Sequence, residues 1–210
     1  MTDENQVGGQ PLEMGGADDG ALAEAPDSPT PFLMQRTDAG IWIGSLAGCQ
    51  TLEVMTTPYV PHGNRWWATV HACKHPCYFQ KVGKVEKGDP NYLWYEDGWD
   101  CYLNLIDADR APKNRFVEEC MATIFGVALD FIARAKMGGR HVFVHCNEGF
   151  SRAPTIALLY MAKRMRDVLP NETFSAAWTR FQREFFPEYA PGKGIVAFLE
   201  GHWDDIPLVT

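Results

Sequence analysis

His141-Val142-Phe143-Val144-His145-Cys146-Asn147-Glu148-Gly149-Phe150-Ser151-Arg152-Ala153-Pro154 is the stretch from which the rest of the chain is read. Its apolar opening is too short for a helix and suits a strand buried on both faces of a sheet. Ala153-Pro154 predicts a helix start, because an early helical position does not need the N–H that proline lacks. Strand, tight turn and helix therefore follow one another around Cys146. The main-chain N–H groups of such a turn converge on one point, and the helix N-terminus adds its positive end, which makes an anion site. Arg152 can hold two phosphate oxygens with its planar fork, as lysine cannot. The same field favours thiolate over thiol at Cys146. Gly149 lets the backbone turn tightly, and Ser151 is expected to donate a hydrogen bond to the sulfur when it becomes a leaving group. A cysteine alone is as commonly a core thiol, and an arginine alone a solvated helix residue. Together, in this order, they specify a nucleophile aimed at a phosphate ester.

Working outward, Ile41-Trp42-Ile43-Gly44-Ser45 and Trp67-Ala68-Thr69-Val70-His71-Ala72 read as strands. The polar stretch from His75 to Asp97 reads as a loop excursion. Cys101-Tyr102-Leu103-Asn104-Leu105-Ile106 reads as a third strand, which delivers Asp107 and Asp109. From Asn114 on, Val117, Met121, Ile124, Ala128, Phe131 and Ala135 recur at helical spacing, and Gly138-Gly139 ends that helix. The helix after Cys146 is predicted to run to about Asp167, with Lys163, Arg164 and Arg166 as a solvated end. Asn171 is expected to cap a further helix through Phe185, and residues 192 to 203 form a last one. Strand and helix alternate, so the expected class is α/β, with a central, mostly parallel sheet flanked by helices.

The first thirty of the 210 residues carry seven acidic side chains and no Lys or Arg, hence −7 of the formal net charge of −8. This leader lacks apolar periodicity, so residues 1–31 are expected to be a disordered acidic tail and residues 32–210 one catalytic domain. It has no basic segment followed by an apolar run, and no long apolar segment occurs elsewhere, so a soluble, cytoplasmic protein without membrane contact is expected. Six cysteines would permit three disulfides, but a chain of this size and aromatic content does not need them, and reduced thiols are expected. The near-neutral remainder argues against nucleic acid as a partner.

His145-Cys146-x5-Arg152 with Ala153-Pro154 resembles the signature loop of dual-specificity phosphatases within the protein tyrosine phosphatase superfamily. Ile41 to Ser45 resembles that family's first strand, Ala128 to Ile132 with Gly139 to Val144 the helix and strand leading to its nucleophile, and Ile156 to Met165 the helix after it. The resemblance covers most of residues 40 to 168. Val70-His71-Ala72-Cys73-Lys74-His75-Pro76 and Pro187-Glu188-Tyr189-Ala190-Pro191 are similar to small bacterial and phage members. It implies that Cys146 and Arg152 are catalytic, that Asn147, Glu148, Gly149, Phe150, Ser151 and Arg152 bind substrate, and that His145 supports the loop without acting as a base. It also implies a general acid from an aspartate upstream of the nucleophile. Asp107 and Asp109 are both candidates. Asp109 is favoured because the family's acid lies several residues past the last buried strand position, although the interval to Cys146 is longer than the family implies.

The expected mechanism is two displacements through a phosphocysteine, with no cofactor and no metal. His71-x-Cys73-x-His75-x-Cys77 offers four zinc ligands, but along an extended strand they would splay in a line and resist tetrahedral closure. Cys73 is expected to lie near enough to Cys146 to be a redox partner, as in lipid phosphatases resembling phosphatase-and-tensin. Gly192-Lys193-Gly194 is too short for a nucleotide loop. The loop interior contains no Lys and one acid, which fits a phosphoprotein better than a polyanionic inositol phosphate. An RNA 5′-triphosphatase and a catalytically slow phosphoprotein-binding module are the alternatives. The sequence leaves the oligomeric state open.

Overall fold

The computed structural model describes residues 34–37, 39–56, 66–169 and 173–206. The acidic leader and the expected cap Asn171 lie outside them. The described strands are β1 (Met34–Arg36), β2 (Ile41–Gly44), β3 (Trp67–His71), β4 (Trp94–Asp97), β5 (Asp100–Leu103) and β6 (His141–His145). They form one sheet in the order β1-β2-β6-β3-β5-β4. β2, β6, β3 and β5 are parallel, and β1 and β4 close the edges antiparallel. A mixed sheet with antiparallel edge strands on a parallel centre covers both predictions, α/β class and a mostly parallel core.

β6 lies at the centre because every residue from Val142 to His145 is buried, as the unbroken apolar run requires. His145 stands in register with Gly44 on one side and His71 on the other. The four parallel strands therefore deliver Ser45, Ala72, Asn104 and Cys146 to the same end of the sheet, where open α/β sheets place their sites.

The helices are α1 (Leu46–Thr56), α2 (Phe79–Val82), α3 (Arg115–Met137), α4 (Arg152–Arg164), α5 (Phe174–Glu184) and α6 (Lys193–His202). Asn114 caps α3, its Oδ1 accepting from the Val117 N–H at 3.1 Å, and Met121, Ile124, Ala128, Phe131 and Ala135 of the predicted stripe are buried. Thr173, rather than Asn171, caps α5, accepting from the Ala176 N–H at 3.2 Å. α4 is buried from Arg152 to Lys163, so it is a core helix and not an amphipathic one.

Three expectations are corrected. The stretch from His75 to Asp97 is not a plain loop: it holds the turn Lys74–Tyr78, α2 and the edge strand β4, which pairs with β5. The motif beginning at His71 does not continue as a strand, since β3 stops there and the chain folds back through the turn Lys74–Tyr78 with a cis His75-Pro76 bond. The end of α4 is solvated only in part: Arg166, just past it, is exposed, whereas Lys163 and Arg164 are held by other segments. Lys163 is 2% exposed, with its amine donating to the Trp203 carbonyl and 4.2 Å from that ring, and Arg164 pairs with Asp130 at 2.7 Å. Burial lowers the pKa of Lys163 to about 8. Proximity in sequence to a helix terminus does not expose a side chain when another segment covers that terminus.

Candidate active site

Cys146 follows β6 directly and is buried, its N–H donating to the Gly44 carbonyl at 3.3 Å. The Gly149 N–H donates to Cys146 Sγ at 3.3 Å. Gly149 has φ of +92°, a conformation that a side chain would strain, so the loop needs glycine to aim this N–H at the sulfur. Asn147 and Glu148 are exposed, Phe150 is partly buried, and Ser151 and Arg152 are buried. The loop is held from three sides. The Leu46 N–H donates to the Asn147 carbonyl at 3.0 Å, the Ala190 N–H to the Phe150 carbonyl at 2.8 Å, and Thr155 Oγ1 to the Ser151 carbonyl at 2.7 Å.

Arg152 opens α4. Its Nη1 donates to the Leu105 carbonyl at 3.3 Å, which leaves Nε buried without a hydrogen-bond acceptor. Nε lies 3.6 Å from Asp107 Oδ2. A buried guanidinium donor beside a converging N–H is what a phosphate oxygen would satisfy.

The structure brings Asp107 to the loop, where its Oδ1 accepts from Ser151 Oγ at 2.8 Å. Asp109 makes no such contact among the described residues and lines a cavity of about 620 Å³ together with Asp107, Lys74, Ile106 and Phe116. Ser151 Oγ accepts from the Gly192 N–H at 2.9 Å and donates to Asp107, so its hydroxyl is turned to these partners and not to the sulfur expected from the sequence.

Sequence reasoning missed what the two glycines around Lys193 do. The Gly194 N–H donates to the Ala108 carbonyl at 2.7 Å. A Cβ on Gly192 would come within 2.3 Å of Asp107 Oδ1, and one on Gly194 within 2.3 Å of the Arg110 carbonyl and 2.8 Å of that of Ala108. The segment 107–110 thus lies flat on the first turn of α6. The signal was a Gly-x-Gly opening a helix, where helix propensity gives glycine no reason to be.

Behind the loop, His145 Nε2 lies 2.8 Å from His71 Nδ1, and His71 Nε2 lies 3.0 Å from Asp100 Oδ1. Burial opposes the charged form of His71, but the hydrogen bond to Asp100, that to Cys77 and the Asp100 charge outweigh it and raise its pKa to about 9. Burial, then the His71 and Arg152 charges, hold His145 well below the usual histidine range. His145 Nδ1 lies 3.5 Å from the Cys146 carbonyl. Cys73 is fully buried, and its thiol is raised first by a hydrogen bond with Cys77 and then by burial.

No family model matches the chain. Among curated proteins, human dual specificity protein phosphatase 16 is 37% identical over 82 residues, 39% of this chain and 11% of its own length. Dual specificity protein phosphatase 1 of Arabidopsis thaliana is 25% identical over 138 residues, 66% of this chain and 54% of its own length. Over these segments the chain is similar in sequence to dual-specificity phosphatases. Three of its curated relatives are far longer, the matched part covering 9% to 11% of their length. The fold is that of the dual-specificity phosphatases: the Yvh1 phosphatase domain from Chaetomium thermophilum aligns with a TM-score of 0.54 at 17% identity, over 84% of this chain and 99% of that domain. Among the described residues, no helix is long and apolar enough to cross a membrane.

Proposed function

We propose that the chain hydrolyses phosphate monoesters on proteins, phosphotyrosine first and phosphoserine or phosphothreonine as well, through a phosphocysteine. The observation that carries this reading is the buried Cys146 sulfur receiving the Gly149 N–H at the mouth of α4, with Arg152 Nε, buried without a hydrogen-bond acceptor, in the same loop. The thiolate of Cys146 attacks phosphorus, the bond to the leaving oxygen breaks, and an aspartic acid gives that oxygen its proton. Water then attacks phosphorus, the same carboxylate takes its proton, and the sulfur–phosphorus bond breaks to return the thiolate. Arg152 and the loop N–H groups hold the equatorial oxygens throughout.

We assign the acid to Asp107, supported by its contact with Ser151 and its closeness to Arg152; Asp109, favoured by position in the sequence, makes no such contact among the described residues. The mostly apolar cavity beside Asp107, with Ile106 and Phe116 in its wall, suits side chains flanking a phosphorylated residue in a protein. That the named relatives are protein phosphatases supports the same substrate class.

The test is hydrolysis of an aryl phosphate and of a phosphotyrosine peptide across pH. Cys146→Ser should abolish turnover, and replacing the acid by asparagine should lower kcat by about 100-fold or more and remove the alkaline limb of the profile. Loss of that limb in Asp109→Asn and not in Asp107→Asn reverses the assignment. Release of γ-phosphate from triphosphorylated RNA faster than phosphate from the peptide favours an RNA 5′-triphosphatase instead. Tight peptide binding with no turnover in the unmodified chain favours a binding module.

A further inference from the structure

β3 ends at His71, and the turn Lys74–Tyr78 carries Cys77 back beside Cys73, with both sulfurs next to His145 at the end of β6. One ligand atom each from Cys73, Cys77 and His145 lies within 4.8 Å of the other two. Cys77 Sγ is 4.0 Å from His145 Nε2, and the same nitrogen is 2.8 Å from His71 Nδ1. His71, Cys73, Cys77 and His145 are all buried. Zinc bonded to sulfur at about 2.3 Å and to nitrogen at about 2.05 Å sets tetrahedral N···S edges of about 3.6 Å and an N···N edge of about 3.3 Å. The Cys77–His145 spacing lies near that N···S edge. His71 groups within 4.8 Å of Cys49 and His145 and not of both Cys73 and Cys77, so its ring swings away from Cys49 as the two imidazoles part to admit the ion.

The remote nitrogens of both rings are already oriented. His71 Nε2 faces the Asp100 carboxylate at 3.0 Å, and His145 Nδ1 faces the Cys146 carbonyl at 3.5 Å. Carboxylates and main-chain carbonyls are the acceptors that fix metal-binding histidines, and here they turn His71 Nδ1 and His145 Nε2 towards each other, beside the sulfurs. His75 takes no part: it is exposed, with its ring 5.1 Å from that of Phe79. The linear geometry that spoke against zinc in the sequence is absent, because the strand stops before the cysteines.

We propose that the chain holds one zinc ion on Cys73, Cys77, His145 and His71, as a closed structural centre behind Cys146. Two thiolates and two neutral imidazoles cancel the charge of the ion, so the complex tolerates burial. Binding releases two thiol protons and the proton shared by the imidazoles to solvent. Two sulfurs and two nitrogens in a tetrahedron select zinc over magnesium or calcium. With four protein ligands the ion offers no position to substrate. It clamps the segment after β3 to the end of β6, next to the loop that carries the sulfur nucleophile. This centre does not rest on the phosphatase reading, since no substrate reaches it.

The test is metal analysis of the full chain, purified without chelator and also after stripping and reconstitution with equimolar zinc. Wild type and Cys146→Ser should each retain about one zinc per chain, and Cys73→Ser and Cys77→Ser less than about a tenth. Cys49→Ser should keep the ion, although Cys49 Sγ lies 3.8 Å from His71 Nδ1 and forms a rival triad with the two histidines. Cobalt reconstitution of the wild type needs no variant, and it should give an intense tetrahedral visible band with thiolate charge transfer. Wild type that stays metal-free after reconstitution overturns the proposal, as does a cobalt spectrum without thiolate charge transfer. Loss of zinc in Cys146→Ser or Cys49→Ser, with retention in Cys73→Ser and Cys77→Ser, overturns it equally.

Discussion

Ser151, Asp107 and Lys163 show how much a single side chain's neighbours decide. Ser151 holds Asp107 and the Gly192 N–H, so Ser151→Ala should release the acid-bearing segment as well as remove a hydroxyl. kcat should fall more for a poor leaving group than for an aryl phosphate, because only the former depends strongly on a placed proton donor. Equal losses for both substrates would place Ser151 at the sulfur instead. Lys163 carries a pH signature. In the folded chain it loses its proton near pH 8, while an unfolded lysine keeps it to about 10.4. The folded state binds fewer protons between those values, so this group makes stability rise with pH there, and below them the cost of the buried charge is present in full. Urea midpoints measured at about pH 8 and pH 9.5 should rise in wild type relative to Lys163→Met, which has no such proton to lose. The same slope in both proteins would assign the effect elsewhere.

At the scale of the element, helices were legible where an apolar stripe met a cap, and less so where another element supplied the partner. α3 could be read from the apolar spacing that begins after Asn114, and the structure adds that Asn114 caps it. Asn114→Ala should cost about 1 kcal/mol in chemical denaturation and leave kcat for a small aryl phosphate little changed, since among the described residues no hydrogen bond or ion pair joins Asn114 to the phosphate loop. The edge strands were not legible. β1 spans three residues, Met34–Arg36, and β4 lies in a stretch whose Lys, Gly and Pro read as loop; each exists by pairing with a neighbour that the chain finds elsewhere. β6 was plain, because a strand buried on both faces writes its environment into every residue. The loop after it was equally plain, since an anion site needs its glycine, its cysteine and its arginine in fixed order. The position of Asp107 was not, because its partners Ser151 and Gly192 lie 44 and 85 residues further along the chain. The fold of His71, Cys73 and Cys77 escaped for a related reason, since nothing in the spacing says where a strand stops.

For the whole molecule, the parallel centre of the sheet gathers segments distant in sequence at one end, and Gly192-Lys193-Gly194 joins two of them. Gly194→Ala should push the segment 108–110 off α6, since the added carbon would meet the Arg110 carbonyl at 2.3 Å. Turnover should drop about tenfold or more and lose part of its alkaline dependence, while binding of inorganic phosphate to the loop, followed by competition, should be unchanged. An unaltered kcat would show that the segment finds its place without α6.

The first turn of α6 meets the segment 107–110 through the Gly194 N–H on the Ala108 carbonyl and through two glycines that present no side chain of their own to it. A small wedge-shaped compound lodged at that seam would slow the enzyme without contesting the pocket that receives phosphorus. Such inhibition would lower the maximal rate and leave the Michaelis constant of a small aryl phosphate nearly untouched, so it could spare related enzymes that share the loop but pack this seam with bulkier residues.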